Sequence, residues 1–397
     1  MLNRSQFHCS LRLLAFLIAS LSWAFHGSHA QTGSDSLQHI ETVPGMPPVV
    51  DPNNLYSETS ANRISSIVAN ATPRVYVPNI ASGDVDVIDP ATLKVVDHFK
   101  AGRNPQHVVP SWDLKTLWVA GSAKGRKDRG SLLPIDAATG KPSRIISVPD
   151  AYNLYFTPDG QSAIVVAEAR RQLEFRDPKT MSLRHSLAIP QCAGINHADF
   201  SIDGRYAVFT CEFSGSLVKI DLVQNAIVGF LKLSKGGMPQ DIRISPDGSL
   251  FYVADMMADG VFLVKGETLE EIGFIATGIG AHGLYPSRDS QKIYVSNRGS
   301  HHPSGPRHGP GSVSVIDFST RRVETTWPIP GGGSPDMGQV SADGKQLWLS
   351  GRFDNVVYVI DTDNGTVQSV PVGREPHGLT VWPQPGRYSL GHTGNMR

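Results

Sequence analysis

Hydrophobic and polar positions alternate along this chain in short runs of five or six residues, and the runs recur. The phrase Val85-Asp86-Val87-Ile88-Asp89 returns as Val313-Ser314-Val315-Ile316-Asp317 and as Val357-Tyr358-Val359-Ile360-Asp361. A period of two marks a strand with one buried face. Weaker copies end at Asp136, Asp177, Asp221 and Lys265, which makes seven. Counted from the residue six before each closing position (Gly83, Gly130, Arg171, Gly215, Asp259, Gly311, Asn355), the intervals are 47, 41, 44, 44, 52 and 44 residues. One four-stranded propeller blade needs about 40–50 residues.

Each unit reads as four strands. In Asp241-Ile242-Arg243-Ile244-Ser245-Pro246-Asp247-Gly248 an innermost strand meets a turn, and Leu250-Phe251-Tyr252-Val253-Ala254 follows as the second strand. Proline presets φ, aspartate caps its own backbone and glycine accepts positive φ, so the turn is specified residue by residue. Related turns stand at Pro158-Asp159-Gly160, Ile202-Asp203-Gly204 and Ala342-Asp343-Gly344. The repeated phrase is the third strand and a more polar fourth completes the blade. The chain opens on second-strand text (Val75-Tyr76-Val77-Pro78-Asn79) and closes on first-strand text (Pro376-His377-Gly378-Leu379-Thr380-Val381). The expected fold is therefore all-β: a seven-bladed β-propeller of four-stranded antiparallel blades, its ring closed by the C-terminal strand joining the first blade.

The expected divisions are residues 1–30, 31–73 and 74–397. The first carries Arg4 and Arg12, an apolar stretch over 13–23 and a Ser28-His29-Ala30 cleavage pattern, as in a secretory signal peptide. Residues 31–73 lack sustained alternation and read as an irregular leader with a helical turn or two within 60–68. Residues 74–397 are the propeller, with 388–397 surplus to it, packed on the first blade or free. Export predicts a periplasmic or secreted protein, with no transmembrane segment after cleavage.

Charge balances at 36 basic and 36 acidic residues, which offers no field to attract nucleic acid. Cys192 and Cys211 are the cysteines left after cleavage. They lie toward one face of one blade, where a disulfide is open, and two separate thiols are the expected state because neighbouring strands often miss the Cβ spacing.

Loops entering the innermost strands and loops between second and third strands share one face of a propeller. The turn register aligns His107, Asn153, His197, Asp241 and Met337 at one position, with His282 and His377 about one residue earlier, and Asp336 beside them. These side chains are expected around the channel mouth, where imidazole and carboxylate suit a metal, an anion or a planar cofactor. The longest interval is an insertion over 299–310 holding His301, His302 and His308, a second possible metal site on that face. The basic loop 124–129 lies on the same rim. No nucleophile elbow, zinc-protease, haem-attachment or phosphate-loop motif occurs, so no catalytic residue is assigned.

With these repeats, Pro-Asp-Gly turns and Pro376-His377-Gly378, the chain resembles the YVTN-repeat, YncE-like family of secreted bacterial propellers over about residues 74–381. That resemblance implies a binding scaffold for a small-molecule ligand or periplasmic protein partner, and a monomer is expected. More distantly it is similar to the haem-carrying propeller of dissimilatory nitrite reductases, which implies a haem-like cofactor near His107, His197, His282 or His377. Those propellers have eight blades and an attached cytochrome domain. Lactonase and streptogramin-lyase propellers share the architecture, and only Asp241 and Asp336 offer carboxylates at the ring positions for a divalent metal.

Overall fold

The structure is a computed structural model that describes residues 39–122, 127–303, 309–392 and 394–397. Among the described residues the chain forms seven four-stranded antiparallel sheets. The innermost strands are Thr380–Trp382, Pro105–Pro110, Ala151–Phe156, Ile195–Phe200, Pro239–Ile244, Ala281–Pro286 and Pro335–Val340, which number blades one to seven. Blade one has Thr380–Trp382 against Arg74–Asn79, with Val75 opposite Val381, so the C-terminal strand closes the ring as the repeat order predicts.

The aspartate that ends each repeat has a local task. Asp221 accepts the N–H groups of Val223 and Gln224 (both 2.8 Å), and Asp177 and Asp361 cap their own turns in the same way. In the inner turns Asp247 accepts from Ser245 Oγ and from Ser249 N, while Gly248 takes φ +72°. Second strands such as Ala163–Ala167 are buried throughout and outer strands such as Leu183–Ala188 are mostly exposed, so the core lies between adjacent blades.

The leader runs across the face that carries the inner turns. Val43 N donates to Asp203 O (3.0 Å), Leu55 N to Pro246 O (2.8 Å) and Asn62 N to Ala342 O (2.8 Å), touching blades four, five and seven. Tyr56 is buried and donates its hydroxyl to Ile244 O (2.7 Å). Residues 60–68 form turns in place of the expected helical segment, because Asn62 sits at φ +61° and spends its N–H on blade seven. A 3-10 turn at Ser57–Thr59 precedes them.

The tail overturns the expectation of a surplus segment. Residues 388–392 enter the channel from the turn face beside the innermost strand of blade three, Phe156 N donating to Leu390 O (3.0 Å) and His392 N to Leu154 O (3.1 Å). Gly391, at φ +102°, lies so close that a Cβ would stand 2.4 Å from Leu154 O. The chain then returns, and Asn395 and Arg397 both donate to Asp199 Oδ1 (3.0 and 2.6 Å). The reason is the channel itself, which offers unpaired strand edges and a buried carboxylate that this tail satisfies.

The cysteines are a second correction. Cys192 and Cys211 form a disulfide, with Cα atoms 4.9 Å apart and both residues fully buried. Cys192 lies in the loop before the innermost strand, and Cys211 stands opposite Ile195 at the end of the second, which brings the two Cβ atoms within bonding reach. The bridge closes a sequence separation of 19 residues, for which chain-entropy loss amounts to about 3 kcal/mol. Replacing both cysteines with alanine should lower unfolding stability by about that amount in chemical denaturation, and an unchanged midpoint would show that the link constrains nothing.

Candidate functional site

The innermost strands do not pair smoothly with their neighbours. In six blades the register slips near the strand start, between Pro105 and His107, Ala151 and Asn153, Ile195 and Ala198, Pro239 and Ile242, Ala281 and Gly283, and Pro335 and Gly338. A bulge re-aims the side chain it releases. The repeated bulge turns the residues aligned by the sequence register toward the channel axis.

Two clusters result. The first centres on Asp336, which is fully buried. Arg298 donates to Oδ1 (2.6 Å), His282 Nδ1 lies 2.9 Å from the same oxygen, His377 Nδ1 lies 2.8 Å from Oδ2, and Arg352 approaches to 3.7 Å. Burial alone would raise this carboxyl, yet Arg298, His282 and His377 hold it well below the carboxylate range. Burial pushes His377 down to about 3 against the pull of Asp336, so its ring is neutral and donates from Nδ1. His282 is lowered by burial and by Arg298, whose guanidinium meets its Nε2.

The second cluster lies deeper, around His107, His197 and His392, all fully buried. Ring centroids stand 4.2 Å apart for His197 and His392, 4.9 Å for His107 and His392, and 5.4 Å for His107 and His197. Burial is the largest cause holding all three well below the ordinary histidine value, and neighbouring imidazoles add to it. Asn153 sets its Nδ2 against Nδ1 of both His197 (3.2 Å) and His392 (2.9 Å). Asp241 lies 3.5 Å from His392 Nε2 and accepts from Arg243 (3.1 Å). Gly378 is required beside His107, because a Cβ there would meet Nδ1 at 2.0 Å.

Above both clusters opens a cleft of about 290 Å³, lined in part by Tyr152, Glu168, Glu212, Arg298, Arg352 and His377. Several lining residues share one register at the end of the second strands: Ile80, Glu168, Glu212, Arg298 and Arg352 directly follow theirs, and Ser122 ends its own. Met256, the seventh member of that register, lies against Arg298. Arg298 and Arg352 come from blades six and seven, and Glu168 and Glu212 from blades three and four. Burial pushes the Glu168 carboxyl well up, with Glu212 and Asp150 adding to it. Glu212 is raised by burial while accepting from Asn196 Nδ2 (2.9 Å), and burial lifts Asp150 to about 6. Arg298 and Arg352 keep buried Nε–H groups with no hydrogen-bond partner.

The residues expected at the mouth divide into two layers. His282 and His377 reach the cleft, and Asp336 anchors them from below. His107, Asn153, His197 and Asp241 sit beneath, with no exposure. His301 gives Nε2 to Asp259 Oδ1 (2.8 Å), and His301 and His302 join no three-ligand cluster among the described residues. His308 and residues 124–126 of the basic loop lie outside the described residues, as does the segment read as a signal peptide. Arg298, Arg352, Glu168, Glu212 and His392 escaped the sequence reading. Their shared signal was the residue after each second strand, except for His392, whose tail lies outside the repeat.

The YNCE-like beta-propeller family profile matches residues 36–385. The YncE protein of Salmonella typhi is 24% identical over 294 residues, spanning 68% of this chain and 74% of its own. A Bacteroides uniformis protein described as a candidate 6-phosphogluconolactonase superimposes with TM-score 0.62 at 17% identity, covering 77% of this chain and 98% of that one. The dihydro-heme d1 dehydrogenase NirN gives TM-score 0.56 at 14% identity, covering 86% and 78%. At such identities the two solved structures share the fold alone. A tetrapyrrole does not fit among His107, His197 and His392, since the rings pack on one another and the tail fills the channel below.

Proposed function

Because the chain belongs to the YNCE-like beta-propeller family, whose fold leaves the ligand to the channel side chains, we propose that it is an exported binding protein holding a small organic anion in the mouth cleft. One observation carries this reading: two buried arginines line the cleft with unpartnered Nε–H groups. A buried donor without a partner costs about 1–3 kcal/mol, and planar guanidinium pairs favour carboxylate or phosphate oxygens. The Glu168 and Glu212 carboxyls opposite, both raised by burial, can hydrogen-bond hydroxyl groups of the same molecule. About 290 Å³ suits a small ligand. The buried disulfide agrees with an oxidising compartment and hence with export.

Calorimetric titration with a panel of hydroxy acids and phosphate esters tests this. Arg352→Gln should weaken the best binder by about tenfold to a hundredfold, the worth of one charged hydrogen bond, with little change in stability because Asp336 keeps Arg298, His282 and His377. Equal affinity in both proteins would refute the assignment.

Binding should also depend on pH. Asp150, at about 6, faces Arg170 and Glu174 and stands near Glu168. As pH rises through 6 it loses its proton and places negative charge at the cleft, so anion affinity should fall between pH 5 and 8. Its effect on folding runs the same way. The unfolded carboxyl ionises near 3.9, so the stability tied to this residue is full below that value and is lost as pH climbs toward 6. Affinity constant or rising over that range would contradict the cleft chemistry.

A further inference from the structure

We propose that His107, His197 and His392 form a mononuclear transition-metal site on the floor of the channel, with the third ligand supplied by the C-terminal tail. Each offers a ring nitrogen, and these atoms all lie within 4.8 Å of one another. Three imidazoles about a common point suit zinc, copper, nickel or ferrous iron, and disfavour magnesium and calcium, which need oxygen ligands.

Unmet bonding points the same way. Both nitrogens of His107 and Nε2 of His197 are buried with no hydrogen-bond partner. Such polar atoms are normally satisfied in a protein interior, and three imidazoles facing one another cannot all satisfy themselves.

The outer shell is also built. Asn153 contacts Nδ1 of both His197 and His392. Leu154 N donates to Asn153 Oδ1 (2.8 Å), which fixes the amide and holds its Nδ2 against both rings, so one side chain sets the orientation of both. Asp241, anchored on Arg243, stands behind His392. Toward the cleft the next ring is His377, 4.9 Å from His107 and held on Asp336. Three protein ligands leave the fourth position of a tetrahedral ion to a non-protein ligand. The site stands on its own geometry and does not require the cleft to bind an anion.

The test uses the full folded chain stripped with a chelator and titrated with Co²⁺ and Zn²⁺. One equivalent should bind, with visible d–d bands for Co²⁺ and a raised melting temperature. His107→Gln and His392→Gln should each weaken binding about a hundredfold or more, and Asn153→Ala by about tenfold to a hundredfold as expected of an orienting group. The glutamine side chain keeps a polar group in place, and far-ultraviolet circular dichroism confirms folding. His301→Ala/His302→Ala should leave stoichiometry at one. Absence of a stoichiometric ion, or its retention in both His107→Gln and His392→Gln, would overturn the proposal.

Discussion

Asp336→Ala is expected to remove about 3–5 kcal/mol of folding stability, the usual cost of breaking a buried charge pair from one side. The residue is fully buried and takes contacts from Arg298, His282 and His377 within 2.6–2.9 Å. Removing it leaves two buried guanidiniums without their shared anion, and desolvation of those charges is then unopposed. Equilibrium urea unfolding measures the loss, and a change below about 1 kcal/mol would show that solvent in the cleft already screens the arginines. The pH dependence has a definite sign. The folded carboxyl is held well below its ordinary value, so its contribution is complete above the unfolded value near 3.9 and disappears as pH falls below it. Asp336→Ala should therefore flatten the acid limb of the stability profile.

Deleting residues 388–397 should cost about 4–7 kcal/mol. Tyr388, Leu390 and Met396 are each no more than 2% exposed, and full burial of such a side chain is worth about 1.5–3 kcal/mol, an upper bound for an extended reference chain. Asp199 would also lose Asn395 and Arg397 and would remain buried with charge to solvate. The same change opens the channel floor, because leader and tail together cover the turn face. The truncated chain should unfold at lower denaturant and lose its transition-metal site. Stability within 1 kcal/mol of the full chain would mean that the tail rests in the channel without supporting it.

The blade architecture was legible because its local chemistry repeats. Closing aspartates cap their own turns, Pro-Asp-Gly sets the inner corner, and second-strand text before first-strand text announces the closure. The same register led to His107, His197, His282 and His377, because distance from an inner turn fixes height along the channel. It did not lead to Arg298, Arg352, Glu168 and Glu212, which share a position but not a residue type, so no repeated letter marks them. His392 was illegible for a different reason: nothing local in residues 388–397 demands a plug, and only the unpaired edges and buried Asp199 of the finished ring draw the tail in. The cysteines depended on strand register, which composition cannot supply. In the long insertion the face was anticipated, but Asp259 captures His301.

The most direct test is native mass spectrometry of the full chain purified from its own cells, beside Arg298→Gln/Arg352→Gln. The natural chain should carry one small-molecule adduct that unfolding releases, and the double variant none. The same adduct on both, or bare protein in each case, would contradict a cleft built to hold an anion.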